Sequence, residues 1–313
     1  MRLPSPIALA LALLIAAPVA EAQTRLTVLL DWFVNPDHGP LFVAEELGYF
    51  AEAGLKVEMI APADPNDPPK LVAAGKADVA ISYQPQLHLQ VAEGLPVVRV
   101  ATLVATPLNT LVVLKDGPIA SLADFKGRKI GYSVGGFESA LLSAMLGSAK
   151  LTLKDVTMVN VNFNLSPALV TGRVDAVIGA YRNFELNQLD LLGKPGRAFH
   201  VEEHGVPTYD ELILIAHRER MDAGALRRLV DAIERGRRYM ANHPGESWDL
   251  FRKGRKDVDN ELNVRAWRDT LPRFAHRPAA LDRQRYERFA AFLKDQGLIK
   301  TVPPLASYAI ELP

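Results

Sequence analysis

Leu26 to Leu55 reads LTVLLDWFVNPDHGPLFVAEELGYFAEAGL, and the fold is read outward from this stretch. The apolar run Leu26 to Leu30 has the length of a buried strand. It stops at a polar and aromatic turn, Asp31-Trp32-Phe33-Val34-Asn35-Pro36-Asp37-His38-Gly39. Leu41, Val43, Ala44 and Leu47 then follow at helical spacing, with Glu45 and Glu46 on the other face. The order is strand, turn, helix. In an open α/β sheet, ligands sit beyond the carboxyl ends of strands, near helix starts. The turn is therefore either a ligand floor or ordinary punctuation around a core tryptophan.

Strand and helix alternate through the rest of the chain, which predicts an α/β fold with parallel sheets. Strands are expected at Val57 to Ile60, in the run ending at Tyr83, at Val97 to Val104 and at Leu111 to Leu114. Further strands are expected within Lys129 to Tyr132, at Val156 to Val161 and in the run ending at Tyr181; helices are expected at Ala140 to Leu146 and Leu165 to Val170. Asp116-Gly117-Pro118 reads as a crossover between two lobes. Gly75-Lys76-Ala77-Asp78-Val79-Ala80-Ile81-Ser82-Tyr83 is echoed by Gly172-Arg173-Val174-Asp175-Ala176-Val177-Ile178-Gly179-Ala180-Tyr181. Two similarly built lobes would each deliver a tyrosine at a strand end. Beyond Met221 the chain is helical; Arg227, Arg228, Arg235, Arg237 and Arg238 read as a solvated face, and Trp248, Trp267, Phe274 and Phe289 as packing residues.

The first residues have the form of a secretory signal. Arg2 is the positive end, Ile7 to Ala17 the apolar core, and Ala20-Glu21-Ala22 the cleavage site, so residues 1–22 are expected to be removed and the protein exported. The chain has no cysteine, which excludes disulfides, thiolate metal sites, a cysteine nucleophile and a lipid-attachment cysteine. Thirty-six basic residues balance 36 acidic ones, which argues against nucleic acid as a partner. The histidines show no metal-ligand spacing, and no nucleophile elbow occurs. Neither a metal, a cofactor nor catalysis is expected.

Two more segments could touch a ligand. Ser133-Val134-Gly135-Gly136-Phe137-Glu138 lies between a strand and a helix, where two glycines and free N–H groups permit close approach of an anion or polar atom. A plain tight turn is the alternative. Tyr181-Arg182-Asn183-Phe184-Glu185 follows a strand and starts a helix, so Tyr181 and Glu185 can share one cleft. Glu185 can equally be a carboxylate that favours a helix N-terminus.

Taken together, Asp31-Trp32-x-x-Asn35-x-x-His38, Gly48-Tyr49-Phe50-x-x-x-Gly54-Leu55, Ile81-Ser82-Tyr83-Gln84-Pro85, Gly135-Gly136-Phe137-Glu138 and Gly172 to Gly179 resemble the periplasmic solute-binding proteins of ABC importers. The branch they resemble contains thiamine-pyrimidine binding proteins and thiamine-pyrimidine synthase. The resemblance implies a two-lobed periplasmic-binding-protein fold of type II. Lobe I would be residues 23–114 plus 211–313, and lobe II residues 115–210, with the ligand in the cleft between them. It implies a periplasmic monomer that binds a thiamine-precursor aminopyrimidine and delivers it to the permease of an ABC importer. Trp32 and Tyr181 would stack the ring, Asn35 and Glu185 would hydrogen-bond to it, and His38, Tyr83, Gly135, Gly136 and Phe137 would complete the site. A riboflavin-like heterocycle, a sulfonate or an aromatic acid is the alternative ligand; a pyrimidine synthase is the alternative activity. His38 matches that enzyme's self-sacrificed histidine, but its cysteine-rich motif is absent.

Overall fold

The computed structural model describes residues 23–313, and the signal expected over residues 1–22 lies outside the described residues. Ten strands form two five-stranded sheets. The first holds β1 (Thr24–Leu29), β2 (Leu55–Ile60), β3 (Val79–Ser82), β4 (Val97–Val104) and β10 (Leu212–His217), in the order β2-β1-β3-β10-β4. The second holds β5 (Asn109–Leu114), β6 (Lys129–Tyr132), β7 (Thr157–Asn160), β8 (Ala176–Tyr181) and β9 (Gly196–His200), in the order β7-β6-β8-β5-β9.

The sheets are mixed, which corrects the expectation of purely parallel pairing. β1 runs parallel to β2 and β3, but β10 lies antiparallel between β3 and β4. In the second sheet, β5 is antiparallel to both β8 and β9. The reason is topological. A chain that leaves one sheet for the other and later returns enters each from the far side, so the entering strand is reversed. The first crossing also comes earlier than expected. It falls between Val104 and Asn109, so the strand assigned to lobe I by a boundary at 114 pairs in the second sheet.

The sequence echo has a structural counterpart. Asp78 Oδ2 accepts from the Thr27 N–H at 2.7 Å, and Asp175 Oδ2 accepts from the Lys129 N–H at 2.8 Å. In each half the aspartate just before a central strand is clamped to the neighbouring strand, which fixes the register. Preceding each is a glycine at φ +70°, a left-handed turn that glycine adopts freely.

Helices pack on both sheets. Asp222 caps the long helix Ala223–Asn242, accepting from the Ala225 N–H at 2.9 Å. Gly236 of this helix lies so close to the helix Gly39–Glu46 that a Cβ there would come within 2.5 Å of the Pro40 carbonyl. Trp267, Phe274 and Phe289 are buried as expected, and Trp248 is half-buried against Trp267 at 5.6 Å. On the solvated face Arg227 pairs with Asp231 and Arg235 with Glu52.

One cation is hidden. Arg99 of β4 is 0% exposed, and its guanidinium donates to the carbonyls of Pro278, Ala279 and Ile310 and to Thr102 Oγ1. It thereby fastens the C-terminal segments to the first sheet. Thr102 Oγ1 passes the contact on to the Asp210 carboxylate at 2.8 Å, which also pairs with Arg285.

Candidate functional site

The turn after β1 is locked by its own side chains. Asn35 Oδ1 accepts from the Asp37 N–H at 2.8 Å, and the Asn35 N–H donates to His38 Nδ1 at 3.3 Å, closing a capping box on the 3-10 turn Pro36–His38. The other ring nitrogen, Nε2, meets Asp31 Oδ1 at 2.9 Å, while Asp31 Oδ2 accepts from the Tyr83 hydroxyl at 2.9 Å. Asp31 thus ties the end of β1 to the end of β3.

Trp32 lines a narrow, partly open cavity between the halves. The first half contributes Asp31, Trp32, Asn35, Asp37 and Tyr83 to its lining; the second contributes Phe137, Glu138, Gly179, Tyr181, Phe184 and Glu185. Aromatic contacts cross between the halves around it. Trp32 meets Phe163 edge-on at 4.5 Å, Tyr83 stacks on Phe137 at 4.8 Å, and Phe33, 42% exposed, meets Phe184 at 5.9 Å. Polar bridges cross as well. Asn183 Nδ2 donates to Asp37 Oδ1 at 2.6 Å and to Thr270 Oγ1 at 2.7 Å, and the Gly135 N–H donates to Asn66 Oδ1 at 2.8 Å. This is a closed arrangement of the two halves.

Carboxyl groups dominate the electrostatics. Glu185 starts the helix Glu185–Leu191, and its Oε2 accepts from the Tyr181 N–H at 2.7 Å. Burial pushes its pKa up to about 8, and the negative charge of Asp37 adds to the shift. Burial likewise raises Asp37 to about 6, opposed by the charge of His38. Glu138 is raised well above the usual carboxyl range by burial, although the Ser133 and Val134 N–H groups support its ionised form. Gly179 makes room for that carboxyl: it sits at φ +97°, and a Cβ there would fall 2.3 Å from Glu138 Oε1. Behind the cavity, Glu211 Oε2 accepts from the Leu108 and Asn109 N–H groups of the first crossing while Glu211 itself ends the second. Burial raises it to about 7. No lysine or arginine lines the cavity among the described residues. Arg182 is engaged by a two-point pair with Glu202, at 2.8 and 2.9 Å.

These shifts set a pH dependence. A carboxyl whose folded pKa lies above its ordinary value binds more protons folded than unfolded, so stability falls as pH rises through that interval. Glu185, Glu211 and Asp37 contribute fully below about pH 4 and lose their contributions between there and their folded values of about 8, 7 and 6. The melting temperature of the ligand-free protein is expected to rise as pH is lowered from 8 to 5.5, and Glu185→Gln should flatten the upper part of that profile. A melting temperature that falls over the same range would contradict these carboxyl environments.

Of the residues expected from sequence, Trp32, Asn35, Tyr83, Phe137, Tyr181 and Glu185 line the cavity together. His38, Gly135 and Gly136 do not. His38 is 0% exposed and has both ring nitrogens engaged inside the turn. Gly135 gives its N–H to Asn66, a bond that bridges the halves across the cleft. Asn35, too, has its amide engaged locally, with Nδ2 on the Phe33 carbonyl at 3.1 Å. Lining residues missing from the expected set include Asp31, Asp37, Glu138 and Phe184. Asp31 and Glu138 stood inside quoted motifs, and Asp37 inside the turn, but acidic residues at strand ends and helix starts carry ordinary local explanations. Among the described residues no cluster of His, Asp and Glu has the arrangement to hold a metal, and no helix is long and apolar enough to cross a membrane.

Residues 35–247 match the profile of the family described as NMT1/THI5 like. A protein of Haemophilus influenzae, named as a candidate thiamine biosynthesis protein, is 51% identical over 93% of each chain. The formylaminopyrimidine-binding protein of Halalkalibacterium halodurans is 36% identical over 74% of this chain and 71% of its own. At 26% identity, over 90% of this chain and 89% of its own, lies a 4-amino-5-hydroxymethyl-2-methylpyrimidine phosphate synthase of Legionella pneumophila. Among solved structures, the alkanesulfonate-binding protein SsuA of Xanthomonas axonopodis superposes with a TM-score of 0.72 at 16% identity, covering 93% of this chain and 98% of its own. The fold is that of the periplasmic solute-binding proteins, two α/β lobes around a cleft.

Proposed function

We propose, from the premise that this chain belongs to the NMT1/THI5-like family, that it is a solute-binding protein that takes up an aminopyrimidine between its two halves. It would act outside the cytoplasm and deliver the solute to the permease of an ABC importer. One observation carries the ligand class. The cavity offers aromatic rings from both halves, buried carboxyls, and no lining cation among the described residues. A flat ring gains about 0.5–1.5 kcal/mol per aromatic stack beyond its area burial. Its amino group and adjacent ring nitrogen suit a carboxylate such as Glu185, a charge-assisted contact of roughly 1.5–3 kcal/mol. Ligand touching both halves favours the closed state by its difference in affinity for closed and open forms.

A sulfonate or carboxylate solute fits poorly, although the fold is shared with a sulfonate binder. Such an anion would face Glu185, Asp37 and Glu138, would disfavour their ionisation, and would find no lining cation among the described residues to hold it. A synthase is the second reading, prompted by the names of the more distant relatives. Against it stand a His38 enclosed in its turn and a chain without cysteine. We therefore read the protein as a binder and not an enzyme.

Titration calorimetry with 4-amino-5-hydroxymethyl-2-methylpyrimidine, its N-formylaminomethyl analogue and an alkanesulfonate tests the reading. Micromolar or tighter binding of a pyrimidine, and none of the sulfonate, is the expected result. Trp32→Ala should weaken pyrimidine binding about 30-fold or more, the range of a buried tryptophan anchor. Sulfonate binding with neither pyrimidine bound would overturn the assignment.

A further inference from the structure

The carboxyls around the cavity differ in one respect: how many of their oxygens already have a protein donor. Asp31 has both engaged, by His38 and Tyr83. Glu138 takes the Ser133 and Val134 N–H groups, and Glu185 takes that of Tyr181 on Oε2, keeping Oε1 for the ring amino edge of the proposed ligand. Asp37 is 2% exposed and lines the cavity, yet both of its side-chain contacts, from Asn183 Nδ2 and Thr270 Oγ1, fall on the single oxygen Oδ1. Its Oδ2 has no donor among the described residues. A carboxylate oxygen at the cavity wall without a protein donor is open to a donor from the ligand.

We propose that Asp37 is a specificity-determining residue that reads a second cationic nitrogen of the ligand, so that the preferred solute is an aminopyrimidine bearing a primary ammonium arm. This rests on the pyrimidine reading above and narrows it. Two groups of the ligand would then be read by two carboxyls: the ring amino edge by Glu185 and the ammonium by Asp37 Oδ2. The charges facing Asp37 allow it. Asp31 and Glu185 are acidic, the opposing charge of His38 on the same turn is engaged by Asp31, and Asn183 and Thr270 are neutral. A cation placed there lowers the electrostatic cost of keeping several buried carboxyls ionised. Because Oδ1 holds Asn183 of the second half, a ligand on Oδ2 would also anchor the bridge that joins the lobes. A hydroxymethyl arm can donate one neutral hydrogen bond at that position, and a phosphorylated arm would be repelled.

The test compares 4-amino-5-aminomethyl-2-methylpyrimidine with its 5-hydroxymethyl counterpart by calorimetry at pH 7.5. The wild type should prefer the amine by about 10-fold or more, the added attraction of a full positive charge over a neutral hydroxyl donor to the same carboxylate. Asp37→Asn keeps an oxygen for Asn183 and Thr270 and replaces only the unclaimed oxygen by an NH2 group, so the ratio of the two dissociation constants should fall to about 3 or less. A second measurement needs no variant. In the wild type the preference should fade as pH rises through the titration of the ligand's own amine. Equal affinity for the two pyrimidines in the wild type, or a ratio unchanged in Asp37→Asn, would overturn this inference and leave the pyrimidine assignment standing. Binding of neither pyrimidine would remove both.

Discussion

Glu185→Gln is expected to weaken aminopyrimidine binding by about 10- to 100-fold while leaving the melting temperature of the empty protein at pH 7 nearly unchanged. The two halves of that result have one cause. With its pKa pushed up to about 8 by burial, Glu185 is largely protonated at neutral pH when no ligand is bound, and glutamine is a close mimic of that form. Its carbonyl oxygen can still accept the Tyr181 N–H that Glu185 accepts at 2.7 Å. A ligand presenting N–H donors needs the ionised carboxylate, which glutamine cannot supply. Binding to the wild type should accordingly release protons near neutral pH. Calorimetry in buffers of different ionisation enthalpy measures both the affinity and the proton count. Unchanged affinity in the variant would mean that Glu185 is only a helix-start residue.

Arg99→Leu should produce the largest loss of stability of any single substitution considered for this protein. The side chain is fully buried and donates to carbonyls on two separate C-terminal segments. Leucine strands those acceptors without partners and removes the donor that Arg99 gives to Thr102 Oγ1. Removing one partner from a buried charged network costs about 3–5 kcal/mol. For a chain of this size that is a drop on the order of 10 °C in melting temperature. Lysine should not restore it, since a single ammonium cannot reproduce the planar fork that reaches carbonyls in different directions. Circular dichroism melting decides the matter, and a change of under about 2 °C would show that these bonds add nothing to stability.

The sequence makes the alternation of elements, the turn after β1 and the two echoed aspartate-strand units readable, because each is a local pattern. Strand direction is not local. The runs Leu111 to Leu114 and Leu212 to Ala216 are apolar throughout and look like any buried strand, whichever way their neighbours run. Trp32, Tyr181 and Glu185 could be picked out because aromatic residues at strand ends and an acid at a helix start have few other reasons to coincide. Asp37 and Glu138 could not, since their importance lies in partners 146 and 5 residues away and in a cavity wall that exists only when both halves are assembled. Gly135 and Gly136 misled for the same reason. An N–H that seems open to an anion in sequence is taken by Asn66, 69 residues distant. Arg99 lay within an apolar run and drew no notice, although an arginine there must find several acceptors or be expelled.

Both crossings between the sheets converge on Glu211, which belongs to one and grips the other through the Leu108 and Asn109 N–H groups. The halves therefore share an axle in place of two slack tethers. In the solute-binding role proposed above, such an axle would restrict the halves to one swing and leave a membrane partner a single quantity to read. Occupancy would then be legible from a distance, as how far the jaws have shut.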